Sequence, residues 1–252
     1  MNTQTSQRAF LGTSSLLFIG SAAITAMWCA GMSRMDMPMP GGWRMSMAWM
    51  RMPGQGWPGS AASFLEMWTV MMVAMMLPCL VPMLWRYRST TRASGFSTTL
   101  AGIGYFLVWT LVGLAVYPLG VWAGWVEMGS PAVSRLVPVL FGAVVLVAGL
   151  IQLSAWKARH LACCRSGHSG VDSTGLAAWR HGLKMGVHCG YCCSGMMAVL
   201  VVLGVMDLPL MAVLTLGMAL ERVLPDGEKV ARGIGLVLVG AGIWMLARAL
   251  GL

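Results

Sequence analysis

Long apolar runs separated by short gaps constrain this chain more than any other feature of its sequence. Seven runs are candidate membrane-spanning helices: Phe10–Ala30, Ser63–Trp85, Leu100–Leu119, Val137–Trp156, Gly186–Met206, Pro209–Leu224 and Gly233–Leu250. A helix needs roughly 20 mostly apolar residues to cross a bilayer, and the sixth run is the shortest. Only 10% of the residues are charged, whereas soluble domains carry about 25%. The sequence predicts an all-α fold, a polytopic transmembrane helix bundle of about seven spans (six to seven).

The gaps divide the chain into two parts and leave no room for a separate soluble domain. Residues 1–62 hold the first helix and a methionine-rich loop, and residues 63–252 hold the rest of the helix bundle. The first run is longer than the 7–15-residue core of a signal peptide. No convincing small-x-small cleavage site lies near Cys29. We therefore expect an uncleaved first helix.

Basic residues in the gaps predict the orientation. If the N-terminus is cytoplasmic, twelve Lys and Arg residues fall on the cytoplasmic side and five on the outer side. Cytoplasmic loops carry the excess of Lys and Arg in membrane proteins. The same placement explains the formal charge of +9 without nucleic acid. We expect the lipid bilayer, and not nucleic acid, as the partner of this chain.

A methionine-rich segment, Gly31–Ala62, separates the first two runs and is predicted to lie outside the cytoplasm. It holds eight of the 24 methionines in a Gly- and Pro-rich stretch that argues against a packed domain. Thioethers are soft ligands that select Cu(I). The alternating spacing makes weaker metal candidates of Met35, Met37, Met39, Met45 and Met47. Flexible apolar surface at the membrane is the alternative interpretation.

Sulfur atoms also recur along the second run at helical spacing. The candidate ligands there are Met72, Met75, Met76, Cys79 and Met83. Residues three or four apart share one helix face, so this spacing predicts a stripe of soft ligands. Ordinary packing of lipid-compatible side chains is the alternative. Pro78 and Pro82 are expected to bend the helix.

The fifth run opens with a cysteine cluster. Cys189, Cys192 and Cys193 stand at i, i+3 and i+4, and the candidate set also includes His188, Met196 and Met197. Three thiolates within one turn suit a trigonal soft-metal site, whereas zinc usually takes four ligands. Burial as small apolar residues and thiol–disulfide exchange are the competing interpretations.

Other parts of the sequence carry weaker signals. Glu221 lies within an apolar run, where acidic residues are costly and often functional, but an interfacial ion pair with Arg222 explains it equally well. His160, Cys163, Cys164 and His168 form a weak cytoplasmic metal candidate. No catalytic triad, phosphate loop or carboxylate pair is present. We do not expect an enzyme.

Two signatures resemble a bacterial family of predicted metal-binding integral membrane proteins that carry a domain of unknown function. The first runs through Met67-Trp68, Met71-Met72 and Met75-Met76-Leu77-Pro78 to Pro82-Met83. The second runs from His181-Gly182 through Cys189-x-x-Cys192-Cys193 and Gly204-x-Met206 to Glu221-x-x-Leu224-Pro225-x-Gly227. The resemblance covers roughly residues 63–250 and implies a copper-chaperone-like protein of the bacterial inner membrane.

Together these features predict a metal-handling membrane protein that binds copper as Cu(I) through Met and Cys side chains, for delivery or homeostasis. The expected partner is a copper-accepting membrane or periplasmic protein. Two alternatives stay open. One is a membrane thiol oxidoreductase that uses Cys189, Cys192 and Cys193, and the other is a non-catalytic assembly subunit of a membrane enzyme.

The charge distribution generates a test of topology. A cysteine placed at Ser46, in a chain without its native thiols, is expected to react with a membrane-impermeant reagent from the outer side. Intact cells or oriented vesicles serve for the measurement. Labelling only after the inner face is opened would reverse the predicted orientation.

Overall fold

The computed structural model describes residues 3–32, 37–39, 43–45, 47–51, 54–91, 94–166 and 175–251, and this part of the chain is almost entirely helical. Its helices are α1 (Thr3–Met32), α2 (Trp57–Thr91), α3 (Gly95–Gly129), α4 (Pro131–Leu153), α5 (Ala155–Ser166), α6 (Gly175–Leu203), α7 (Leu208–Val223) and α8 (Gly227–Leu250). Two two-residue strands, β1 (Met37–Pro38) and β2 (Arg44–Met45), pair antiparallel in the α1–α2 loop. The predicted all-α fold is confirmed.

Six of these helices are long and apolar enough to cross a membrane: α1, α2, α3, α4, α6 and α8. The sixth predicted run forms α7, which has 16 residues and is therefore about 24 Å long. A bilayer core is about 30 Å thick, so α7 is shorter than a usual span. It nevertheless joins the end of α6 to the start of α8, which packs antiparallel to α4. The chain is a multi-pass helical membrane protein.

The ends of α7 follow from local sequence. Gly204 has a φ of 145°, a conformation that favours glycine, and it reverses the chain after α6. The side chain of Asp207 then caps α7 by accepting a hydrogen bond from the Leu210 amide at 2.8 Å. Pro225 follows the helix closely, and residues before proline avoid helical geometry. These signals confine the helix that carries Glu221 and Arg222.

The hydropathy pattern did not predict α5, because this helix is short and rich in charge. Ser154 separates it from α4, because its hydroxyl donates to the Ile151 carbonyl and accepts from the Lys157 amide. The side chain of Lys157, in the first turn of α5, is only 2% exposed. Lysine is almost never fully buried unless it is paired. One face of α5 therefore carries a cation into the bundle.

Glycines let the helices approach closely, as is typical of membrane bundles. A side chain at Gly182 of α6 would overlap the Ala101 carbonyl of α3, and one at Gly104 would lie 2.8 Å from the Trp179 carbonyl. Helices α4 and α8 pack antiparallel in the same manner, with Gly149 against Val239 and Gly235. The contacts at Gly182 and Gly104 hold α6 in register against α3.

Two tryptophans anchor the methionine-rich loop to one end of the bundle. The Trp43 indole N–H donates to the Ser134 carbonyl at 3.1 Å, and the ring of Trp49 lies 5.2 Å from that of Phe64. A side chain at Gly120 would overlap Trp49. The described parts of the loop are therefore docked on the helices.

The close α3–α6 contact generates a matched pair of substitutions on one helix. Gly182→Ala should lower the free energy of unfolding by about 1–3 kcal/mol, because the added methyl meets backbone. Gly190→Ala should be neutral or stabilising by up to about 1 kcal/mol, since that position is open and alanine favours helix. Thermal unfolding in detergent compares the two. Equal effects would contradict the packing described.

Candidate metal centre

Two cysteines of α6 and one methionine of α2 bring their sulfur atoms together in the core. The Cys189 sulfur lies 3.9 Å from the Cys193 sulfur and 3.9 Å from the Met76 sulfur. All three side chains are at most 1% exposed. With metal–sulfur bonds of about 2.3 Å, a planar three-sulfur site has its sulfurs about 4 Å apart. The two separations therefore suit one soft metal ion.

Each of the two cysteine sulfurs accepts a hydrogen bond from a fixed donor. The Tyr105 hydroxyl of α3 donates to Cys189 at 2.9 Å, and the Arg222 guanidinium of α7 donates to Cys193 at 3.0 Å. Hydrogen bonds to a sulfur stabilise its thiolate form, and the thiolate is the metal-binding form of cysteine. Each of the two sulfurs therefore lies beside a donor that would stabilise it as a thiolate.

The buried cation Arg222 has no carboxylate partner within the described part of the chain. Its neighbour Glu221 instead accepts from Gln152 and pairs with Lys157, whose Nζ lies 2.8 Å from Oε2. The interfacial Glu221–Arg222 ion pair considered from the sequence is therefore not formed. One guanidinium nitrogen of Arg222, Nη1, is buried without a hydrogen bond. The other terminal nitrogen, Nη2, donates to the Cys193 sulfur.

Cys192 is buried in a different environment from the other two cysteines of α6. It packs in a small separate cluster with Leu161 of α5 and Ala231 of α8. Its carbonyl oxygen accepts a hydrogen bond from Lys157 at 2.6 Å. The three cysteines that the sequence placed on one face thus divide into a pair, Cys189 and Cys193, and a third residue on an adjoining face.

The described residues contain no group of three or more His, Cys, Asp or Glu side chains able to hold a metal ion. Participation of Cys79 or Cys192 in a site with this pair stays a prediction. The third sulfur next to Cys189 is a methionine. A site that depends on a thioether favours a soft cation over zinc.

The other candidates on α2 and α6 mostly lie in the same core. Buried there are Met72, Met75, Cys79, Met196 and Met197, and Met83 is half-buried at its edge. His188 is half-buried, and its Nδ1 lies 2.9 Å from the Lys184 carbonyl of its own helix. Glu221 is buried but bound to Lys157 and Gln152.

The weaker loop candidates are described only in part. Met35 lies outside the described residues, and only the backbone of Met37, Met45 and Met47 is described. The backbones of Met37 and Met45 pair across β1 and β2, and Met39 is half-buried.

The weak cytoplasmic candidates begin in α5, where His160 packs on Trp156. The side chains of Cys163 and Cys164, and all of His168, lie outside the described part.

Four residues that hold this centre together were not predicted from the sequence: Tyr105, Gln152, Lys157 and Arg222 as a sulfur partner. Gln152 offered a signal, because it is an amide within an apolar run. Tyr105 and Lys157 look like ordinary interfacial residues in the sequence. Only the packing of α3 and α5 against α6 reveals their positions.

Comparison with known proteins assigns the family. No curated protein and no solved structure matches the chain. A family model named PpoB2 and described as a copper chaperone matches residues 65–245. This range includes Met76, the α6 cysteines and Arg222, and it covers well over half of the chain. The chain therefore belongs to the PpoB2 family of copper chaperones.

Proposed function

We propose that this protein binds one Cu(I) ion between Cys189, Cys193 and Met76 and passes it to an accepting protein. The observation that carries the proposal is the contact of Arg222 with the Cys193 sulfur at 3.0 Å. A buried guanidinium is costly within a membrane unless a counter-charge is near. A copper-bound thiolate supplies that counter-charge.

The charges around the sulfurs favour Cu(I) over Zn(II). Lys157 and Arg222 are cationic and Glu221 is anionic, so these buried side chains carry one net positive charge. Cu(I) with two thiolates carries one negative charge, and binding makes the whole group neutral. Zn(II) with the same two thiolates is neutral and leaves the positive charge uncompensated. Unpaired charge is most costly in a low-dielectric interior.

The buried sulfurs of α2 support transfer as well as binding. Met72, Met75 and Met76 are at most 2% exposed, and Cys79 follows Met76 by about one turn. Soft ligands exchange Cu(I) without ATP, so such a column carries the ion through the core. We propose that the methionine-rich loop collects copper on the outer side of the bacterial inner membrane. Delivery by a chaperone, and not transport, is the role proposed.

The alternatives make different demands on the same residues. A thiol oxidoreductase needs a reversible disulfide among the α6 cysteines and has no use for Met76 or Arg222. An assembly subunit needs neither thiols nor thioethers. Copper content of the purified protein and its dependence on individual sulfurs therefore separate the three functions.

Single-cysteine substitutions test the ligand set. Cys189→Ser and Cys193→Ser should each weaken Cu(I) binding by more than roughly 100-fold, since loss of a residue that only supports a ligand already costs about 10–100-fold. Cys192→Ser is the matched control on the same helix and should weaken binding much less, because Cys192 packs in the separate cluster. Anaerobic competition with a colorimetric Cu(I) chelator measures each affinity.

Met76→Leu extends the same series by removing a sulfur while it conserves apolar volume. It should weaken Cu(I) binding while the thermal stability stays close to that of the wild type.

Unchanged Cu(I) affinity in Cys189→Ser and Cys193→Ser would refute the proposed centre. A large loss in Cys192→Ser alone would move the site to the adjoining face of α6.

A second experiment tests the electrostatic argument without touching a ligand. Arg222→Gln should reduce Cu(I) affinity about 10–100-fold, the range for residues that hydrogen-bond a metal ligand. Arg232→Gln is the control, because Arg232 lies exposed on α8. Zn(II) affinity should fall less than Cu(I) affinity in Arg222→Gln, since the neutral zinc complex needs no counter-charge. An equal fall for both metals would contradict the charge balance.

A further inference from the structure

A second group of sulfur atoms lies at the end of the bundle that carries the methionine-rich loop. The Cys29 sulfur of α1 lies 3.8 Å from the Met206 sulfur, in the α6–α7 turn, and 3.9 Å from the Met211 sulfur of α7. The three side chains are 2%, 7% and 3% exposed. We propose that Cys29, Met206 and Met211 form a second Cu(I) site, the entry site of the protein.

The geometry is that of a ligand set drawn from three separate segments. Both sulfur separations are close to the ~4 Å expected around one soft metal ion with bonds of about 2.3 Å. The left-handed turn at Gly204 brings Met206 and the first turn of α7 back to the end of α1. Cys29 lies outside residues 65–245, whereas Met206 and Met211 lie within them, so the family match covers only part of this group.

Two further observations point to a bound cation. The hydroxyl of Thr25 lies one turn before Cys29 on the same face of α1, is 3% exposed and has no hydrogen-bond partner in the described structure. By contrast, the nearby Ser21 hydroxyl bonds the Leu17 carbonyl in the usual way. Asp207, which caps α7 and directly follows Met206, places an exposed carboxylate at this end of the bundle. The buried hydroxyl oxygen is an unused acceptor one turn from the thiol, and the exposed carboxylate attracts an approaching cation.

The charge of this group differs from that of the proposed site at Cys189, Cys193 and Met76, which is called the inner centre below. Cu(I) displaces the proton of the Cys29 thiol, which is released to water, and forms a Cu–S bond. With two thioethers as additional neutral ligands the complex is neutral. No lysine or arginine side chain forms a described contact with these three sulfurs. A neutral complex needs no buried counter-ion, so the apolar surroundings suit it.

The position of the group suits entry of copper from the loop. A cavity of about 370 Å³ is lined by Trp43 and Trp49 of the loop and by Gly204 and Val205, which directly precede Met206. Helix α7 then leads inward from Met211 to Arg222 over about 16 Å, with the fully buried Met218 between them. The role as entry site rests on the proposed function, whereas Cu(I) binding by the group does not.

Copper stoichiometry of the full-length protein in detergent tests the proposal. Under reducing, anaerobic conditions the wild type should bind two Cu(I) equivalents at these two centres, and Cys189→Ser/Cys193→Ser should retain one. Adding Cys29→Ser, or Met206→Leu/Met211→Leu, to that background should remove the remaining equivalent. Met27→Leu is the control, because Met27 lies on the same helix and is 67% exposed. Leucine conserves volume, so thermal unfolding should change little.

The outcomes separate the two proposals. Two results would overturn the entry site and leave the proposal for the inner centre unchanged. In the first, the Cys189→Ser/Cys193→Ser protein binds no copper. In the second, its remaining equivalent survives both Cys29→Ser and Met206→Leu/Met211→Leu. A wild type whose copper depends on Cys29 and not on Cys189 or Cys193 overturns the proposed function and supports the outer site. Loss of the equivalent in Met27→Leu as well would show that α1 responds to any change, and would overturn the assignment.

Discussion

The arrangement of the inner centre depends on a buried polar contact among α4, α5 and α7. Glu221 of α7 is bound by Lys157 of α5 and by Gln152 of α4, and all three side chains are at most 4% exposed. Because Lys157 pairs with Glu221, the adjacent Arg222 has no carboxylate partner among the described residues. It donates a hydrogen bond to the sulfur of Cys193 instead. Breaking such a pair leaves an unpaired charge in a low-dielectric interior. The polar contact therefore sets both the position of α7 and the charge available to a bound metal.

Helix α7 lies next to both sulfur groups of the protein. Its 16 residues return the chain from the end of α6 to the start of α8, and they pass two different sulfur groups on the way. Met211 near its start contacts Cys29, and Arg222 near its end contacts Cys193. The fully buried Met218 lies between them. The match to a copper-chaperone family supports the proposal that these sulfur groups bind copper, and the proposed entry site lies towards the methionine-rich loop.

Much of the fold was predictable because lipid imposes a simple rule on sequence. A chain in the bilayer must satisfy its backbone hydrogen bonds within helices, so long apolar runs identify spans directly. The rule missed α5, a short helix rich in charge, but it located α7 to within one residue at each end. The sulfur-rich faces of α2 and α6 could also be predicted from residue spacing. It identified Met76, Cys189 and Cys193 as candidates, but it also grouped Cys192 with them, since positions i+3 and i+4 diverge by about 100° around a helix.

The sequence by itself determined a multi-pass helical membrane protein with sulfur-rich helix faces, because hydropathy and helical periodicity are local properties. Only the tertiary structure decided which sulfurs meet. Close approach of α3 and α6 at glycines brings Tyr105 to Cys189, and burial of α5 brings Lys157 to Glu221. The contact of Cys29 with Met206 and Met211 joins residues 177 and 182 positions apart. Such contacts depend on side-chain shape and charge compensation between distant segments, which no local pattern encodes.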